Sequence, residues 1–256
     1  MKGLVKIEFI KIVKRKDFLL MLSMIFIPIL YSIGLAMNSK SFTYAGEHKV
    51  SGLLFATEMY TFVYMCFIYF IILSVCVIRT LKGEIENKSI QLYTQRVNDR
   101  KKIFYAKSIA YHFLVISSSI IFVAVSLVCF YLFLIRREDV AVLDFCRQGE
   151  FIYCVINMLS VLLCFLFTLN VSMLFCTYRK SFQAMGIFIF LWLAFMYLKE
   201  ISYIKYLVPI YYVEKIVNSD VGSCDYKSFI ILFLLVFACS AISMLLGCRK
   251  FEKSDI

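Results

Sequence analysis

The sequence predicts an all-α polytopic membrane protein with six transmembrane helices and both termini on the cytosolic side. Three observations predict it. Of the 256 residues, 62% are hydrophobic, well above the half-apolar composition of soluble domains. Apolar runs of roughly 20 residues, the length that crosses a hydrocarbon core ~30 Å thick, recur along the chain. Basic residues collect in alternate segments between those runs, as they do in the inner loops of membrane proteins.

The apolar runs cover residues 18–37, 59–78, 108–135, 152–177, 182–198 and 229–248, and their interiors carry no Asp, Glu, Lys or Arg. Helices are required there because lipid cannot satisfy an open backbone. The N-terminus is basic, but its apolar run continues to Met37 with no small-residue cleavage site, which reads as a retained first span and not a signal peptide. With the N-terminus inside, segments 1–17, 79–107, 178–181 and 249–256 are cytosolic, and they hold about two thirds of the 28 Lys and Arg residues. The net charge of +11 therefore follows from topology and does not indicate nucleic-acid binding. Glu58 falls just outside the second run, at its outer edge.

Two stretches read as helical without spanning. Residues 4–16, LVKIEFIKIVKRK, place Val5, Phe9, Ile12 and Val13 on one face, with Glu8, Lys11 and Lys14 opposite. A basic amphipathic helix of this kind lies in the membrane interface. Residues 201–217, ISYIKYLVPIYYVEKIV, hold too many charges to span. Their tyrosines suit the headgroup region, and they read as short outer-leaflet helices broken near Pro209. The chain thus divides into an elbow (1–17), spans one and two (18–78), an inner loop (79–107), spans three to five (108–198), outer helices (199–228) and a last span with its tail (229–256), all one membrane domain.

Catalytic signatures are missing. There is no P-loop, no H-E-x-x-H and no G-x-S-x-G. The two histidines, His48 and His112, do not form a site. The ten cysteines contain no CxxC pair, so no metal site is expected; Cys146 and Cys224 both fall in outer loops, where a bridge is possible. Charge-free spans argue against a proton- or sodium-coupled carrier, which places ionisable groups inside the bilayer. Asn157 and Asn170 read as interhelical hydrogen-bonding groups, and Ser117, Ser118 and Ser119 as small residues for close helix packing. Energy for transport would have to enter from a partner, through the inner loop. There, residues 84–92 follow Gly83, contain no Pro, and suit a short cytosolic helix, with Arg96 to Lys107 as a basic anchor at the membrane surface.

These residues resemble the membrane subunits of ABC-2 type exporters. Leu4 to Lys11 followed by Arg15, Lys16, Asp17 and Phe18 looks like the family's interfacial elbow. Glu84-Ile85-Glu86-Asn87-Lys88-Ser89-Ile90-Gln91-Leu92 is similar to its E-x-E-x-G-T-x-x-L coupling helix. Arg100-Lys101-Lys102-Ile103-Phe104-Tyr105-Ala106-Lys107 looks like its R-x-x-I-x-x-x-K lead into the third span. Tyr206 to Tyr212 resembles its Pro-containing outer segment. Lys88 stands where the family often has Gly, and Val97 where it often has Pro.

The resemblance implies a half-transporter of the bacterial cell membrane. Two permeases, identical or related, would pair with two cytosolic ABC ATPase subunits that hold the ATP and Mg; this chain would carry no cofactor, catalytic residue or metal. Contact with the ATPase falls to Glu84, Ile85, Glu86, Asn87, Ser89 and Leu92. The elbow residues are Glu8, Phe9, Lys11 and Arg15. The length and small outer loops are most similar to permeases of lantibiotic-immunity and antimicrobial-peptide export systems. Three other readings stay open: a lipid or drug exporter, a secondary carrier, and a non-transporting scaffold or sensor that anchors a cytosolic partner.

Overall fold

The computed structural model describes residues 1–37, 49–87, 97, 99–137 and 139–253. The regular elements among them are helices: α1 (Lys2–Val13), α2 (Lys16–Leu22), α3 (Phe26–Ala36), α4 (Gly52–Met65), α5 (Phe67–Glu86), α6 (Arg100–Cys129), α7 (Glu150–Tyr178), α8 (Ser181–Leu198), α9 (Pro209–Val217) and α10 (Tyr226–Glu252). A 3-10 turn joins α2 to α3 into one helical stretch, and a π-helical turn extends α6 to Leu134. Five stretches are long and apolar enough to cross a membrane, and α4 with α5 makes a sixth if that pair crosses as one span.

The α4–α5 pair departs from the expected straight span at 59–78. The two helices meet at 70°, with Cys66 between them in extended conformation (φ −73°, ψ 94°). Sharp bends usually mark Pro, Gly or a π-bulge, and none stands at this junction, so no local residue announces it. Packing accounts for the bend. Tyr60 of α4 and Tyr69 and Phe70 of α5 close on the ring of Phe165 in α7, with centroids 5.6, 4.8 and 5.2 Å away. Trp192 of α8 backs Phe70 at 4.1 Å. Aromatic contacts of this kind add about 0.5–1.5 kcal/mol each beyond area burial, and a straight helix could not bring both arms onto one ring.

Phe165 sits in the hub. The apolar stretch of α7 is 61% buried, against 17% in α8 and in α10. The outer faces of α8 and α10 therefore expose Phe182, Phe190, Phe233 and Phe237, as lipid-facing helices do. Polar contacts inside the bundle are few. Tyr60 donates to Ser119 Oγ at 2.7 Å and Thr61 donates to Asn157 Oδ1 at 3.0 Å, so Ser119 and Asn157 do bridge helices. Ser117 and Ser118 instead bond carbonyls of their own helix, and Asn170 Oδ1 finds no partner among the described residues.

The loops gather at two ends. At one, Lys101 pairs with Glu252, Arg100 donates to the Glu252 carbonyl, and Glu86 caps the start of α8 through the Ser181 N–H and hydroxyl. Helix α1 lies at this end too. At the other end, Val50 forms a single parallel bridge with Ala141, Arg137 donates to the Leu35 carbonyl, and α9 packs under α10. Among the described residues, α1, the end of α5, the start of α6 and the end of α10 therefore lie at one end of the bundle.

Helix α9 begins with Pro209 at its first position, where the missing N–H costs nothing. It is pinned by Lys199 to Glu214 at 2.6 Å and by Lys215 to Asp225 at 2.7 Å. Asp225 also caps α10, accepting from the Ser228 N–H at 3.0 Å. The Lys215 ammonium, with the Ser228 bonds, holds the Asp225 carboxyl down to about 2. All ten cysteines are unpaired thiols, so Cys146 and Cys224 do not form the bridge that their loop positions allowed.

One position tests the packing directly. A Cβ on Gly247 of α10 would lie 3.0 Å from Phe104 Cζ, and Phe104 is fully buried against Phe251. Gly247→Val should destabilise the fold by about 1–3 kcal/mol through overpacking. Gly186→Val, at a helix position with open space around it, should change thermal stability by under ~1 kcal/mol; equal effects would refute the α6–α10 contact.

Candidate functional site

The charged residues singled out in the elbow and the inner loop converge. Lys107 of α6 is 2% exposed, and its Nζ lies 2.6 Å from Glu8 Oε2 and 2.5 Å from Glu84 Oε2. Lys11 Nζ lies 3.5 Å from Glu8 Oε1 and 3.9 Å from Glu84 Oε1. Each carboxylate therefore faces one ammonium with each oxygen, and the four charges form a closed alternating ring with no net charge. The ring joins the N-terminal helix, the end of α5 and the start of α6.

Local sequence explains how each member arrives. Glu8 and Lys11 are three residues apart and share a face of α1. Helix α6 starts at Arg100, because Asp99 caps it by accepting from the Lys102 N–H at 3.2 Å. Lys107 is consequently two turns inside a helix. Reading 96–107 as a basic anchor at the membrane surface misplaces this residue: it is buried, with its charge met by the carboxylates of Glu8 and Glu84. Glu8 is likewise corrected. Assigned to the polar face of the elbow, it is 2% exposed and points at the bundle, while Val13, assigned to the apolar face, is exposed.

The remaining candidates are distributed around the ring. Glu84, Ile85 and Glu86 form the last turn of α5, which runs unbroken through Gly83, and Asn87 caps it. They extend the span and do not begin a separate helix. Ile85 packs on the core and Phe9 does the same from α1. Arg15 bonds Asp17 at 3.3 Å, and Arg79 of α5 reaches Asp17 at 3.8 Å, a second, more exposed link between the first span and α5. Ser89 and Leu92 lie outside the described residues, as does His48. His112 lies one turn beyond Ser108 on α6, its Nδ1 2.8 Å from the Ser108 carbonyl, which is a structural role. No group of three or more His, Cys, Asp or Glu side chains among the described residues could hold a metal.

What the ring offers is mechanical connection. Removing one partner of a buried ion pair costs about 3–5 kcal/mol, because the other charge is left unpaired, whereas an exposed pair contributes about 0–1 kcal/mol. The ring therefore ties the end of α5 to α1 and α6. The missed signal was the Asp99 cap: it sets the helix start, and with it the burial of Lys107.

Lys107→Met should lower stability in detergent by about 3–5 kcal/mol, seen as a thermal or denaturant unfolding shift. Lys11→Met, at a residue 38% exposed, should cost under ~1 kcal/mol; comparable losses would show that the ring does not depend on its buried member. Comparison with protein-family models and with curated proteins gives no match to this chain.

Proposed function

We propose that the chain is the membrane-spanning permease subunit of an ATP-driven exporter of a hydrophobic or amphipathic substrate, such as an antimicrobial peptide or lantibiotic. The observation that carries the reading is the buried ring of Glu8, Lys11, Glu84 and Lys107. An exporter of this type needs a rigid link where a cytosolic motor pushes, and the ring supplies one at the end of the bundle that holds α1 and the end of α10. It locks the elbow and the coupling segment to two spans at once.

In this reading the positive-inside bias places that end in the cytosol of a bacterial cell. Two ABC ATPase subunits bind ATP and Mg and grip the segment that begins at Glu84–Asn87. A second permease, identical or related, completes the translocation path between the two bundles. ATPase closure displaces the last turn of α5, and the ring passes the displacement to α1 and α6 as a rigid-body movement. The proposal needs no chemistry from this chain. The bend at Cys66 gives the α4–α5 pair a joint near the middle of the bundle, between the driven end and the opposite end.

Affinity purification from host membranes should bring down a P-loop ATPase with the chain. After reconstitution, deletion of residues 84–92 should abolish both that association and transport-coupled ATP hydrolysis. Purification with no nucleotide-binding partner would instead support the scaffold or sensor reading.

A further inference from the structure

We infer that a cleft in the outer part of the bundle, built around Glu58, binds the ammonium group of an amphiphilic ligand. The spans were expected to be free of charge, with Glu58 at the outer edge of the second. Helix α4 begins instead at Gly52, so Glu58 lies nearly two turns inside it, ~9 Å along the axis at 1.5 Å per residue. It lines a cleft of about 460 Å³ between α3, α4, α7 and the end of α9.

The walls of this cleft suit a cation. Tyr31 and Tyr153 provide aromatic faces, which attract ammonium groups. Three of the other polar side chains are engaged within the protein: Thr61 donates to Asn157 Oδ1 at 3.0 Å, Asn157 Nδ2 to the Tyr153 hydroxyl at 3.4 Å, and Thr57 to the Leu53 carbonyl at 2.9 Å. Glu150 is already engaged, accepting from the Ser51 hydroxyl at 2.7 Å and from the Arg147 N–H at 3.2 Å. No Lys or Arg among the described residues pairs with Glu58. Among the described residues, Glu58 is the one carboxyl group that lines this largely apolar cleft, and an ammonium entering it would supply the counter-charge that the cleft walls lack.

The rest of the lining, including Leu54, Met59, Phe62 and Met65, is apolar and suits a hydrocarbon tail. Phe62 and Met65 are exposed on the surface of the bundle, so the cleft is reached from the lipid side. The ligand class is therefore a membrane-partitioned amphiphile with a protonated amine at its head. This names the substrate class of the exporter proposed above and rests on that reading for its role. The binding itself needs no motor, so it is measured without ATP or a partner subunit and fails or stands separately from export.

The test is isothermal titration of the purified chain in dodecyl maltoside with dodecylammonium and, in parallel, with uncharged dodecanol. The expected result is saturable binding of dodecylammonium at one site per chain, at least tenfold weaker in Glu58→Gln, partly restored in Glu58→Asp, and no saturable binding of dodecanol. Competition by dihexanoyl phosphatidylethanolamine would support the site and identify a lipid headgroup as the natural ammonium. Lack of competition alongside dodecylammonium binding would support it with a non-lipid amphiphile. Equal affinity in wild type and Glu58→Gln, equal binding of dodecanol, or no saturable binding would overturn it. Because Glu58→Gln keeps the side-chain shape and breaks no ion pair among the described residues, its melting curve should match wild type; if it does not, Glu58→Asp alone must retain binding for the inference to stand.

Discussion

A lysine ammonium cannot be taken out of water at the membrane boundary unless counter-charges come with it. Lys107 is 2% exposed, and that one burial dictates much of the architecture around it. It requires the carboxylate of Glu84, which fixes where α5 ends, and that of Glu8, which draws α1 across the foot of the bundle. Lys11 completes the balance from the more exposed side. The amphipathic N-terminal helix is thereby more than a float on the membrane surface: it is charge-locked to α5 and α6, both far from it in sequence.

The remainder of the bundle is held by a different kind of contact. Its hub is α7, and the bent α4–α5 pair wraps Phe165 with aromatic rings from both arms. Dispersion and ring packing dominate there because lipid offers no hydrophobic drive between helices. Charge organises the two ends. One end carries the four-membered ring; the other carries the Lys199–Glu214 and Lys215–Asp225 pairs that hold α9 beneath α10, together with Glu58, which has no ion pair among the described residues. A movement that enters at the ring meets a stiff hub with one joint at Cys66, and the cleft around Glu58 lies on the far side of that joint.

Much of this was legible from the residues. Long apolar runs announced five of the spans, since roughly 20 residues without charge can hardly do anything else. Pro209 marked the start of α9, because proline suits the first helical position and little else in a helix. The bend at Cys66 was not legible: it arises from Phe165, Tyr60, Tyr69 and Phe70 meeting in space, and no local breaker records it. The start of α4 at Gly52, six residues before Glu58, was not legible either, because it follows the Val50–Ala141 bridge, a contact between distant segments. Glu8, Lys11, Glu84 and Lys107 were each visible as residues of interest. Their convergence was not, because a hydrophobic period assigns a face to Glu8 without knowing that a buried ammonium waits on the other one.

The central claim is that one buried charge holds α1 and the end of α5 together as a mechanical unit. Hydrogen–deuterium exchange of wild type and Lys107→Met in the same detergent tests it most directly, because local opening is read element by element. The account predicts that amides in 2–13 and in 83–87 are deprotected together in the variant, while those of α7 keep their wild-type protection. Loosening of α1 alone, or unchanged exchange in both segments, would contradict it.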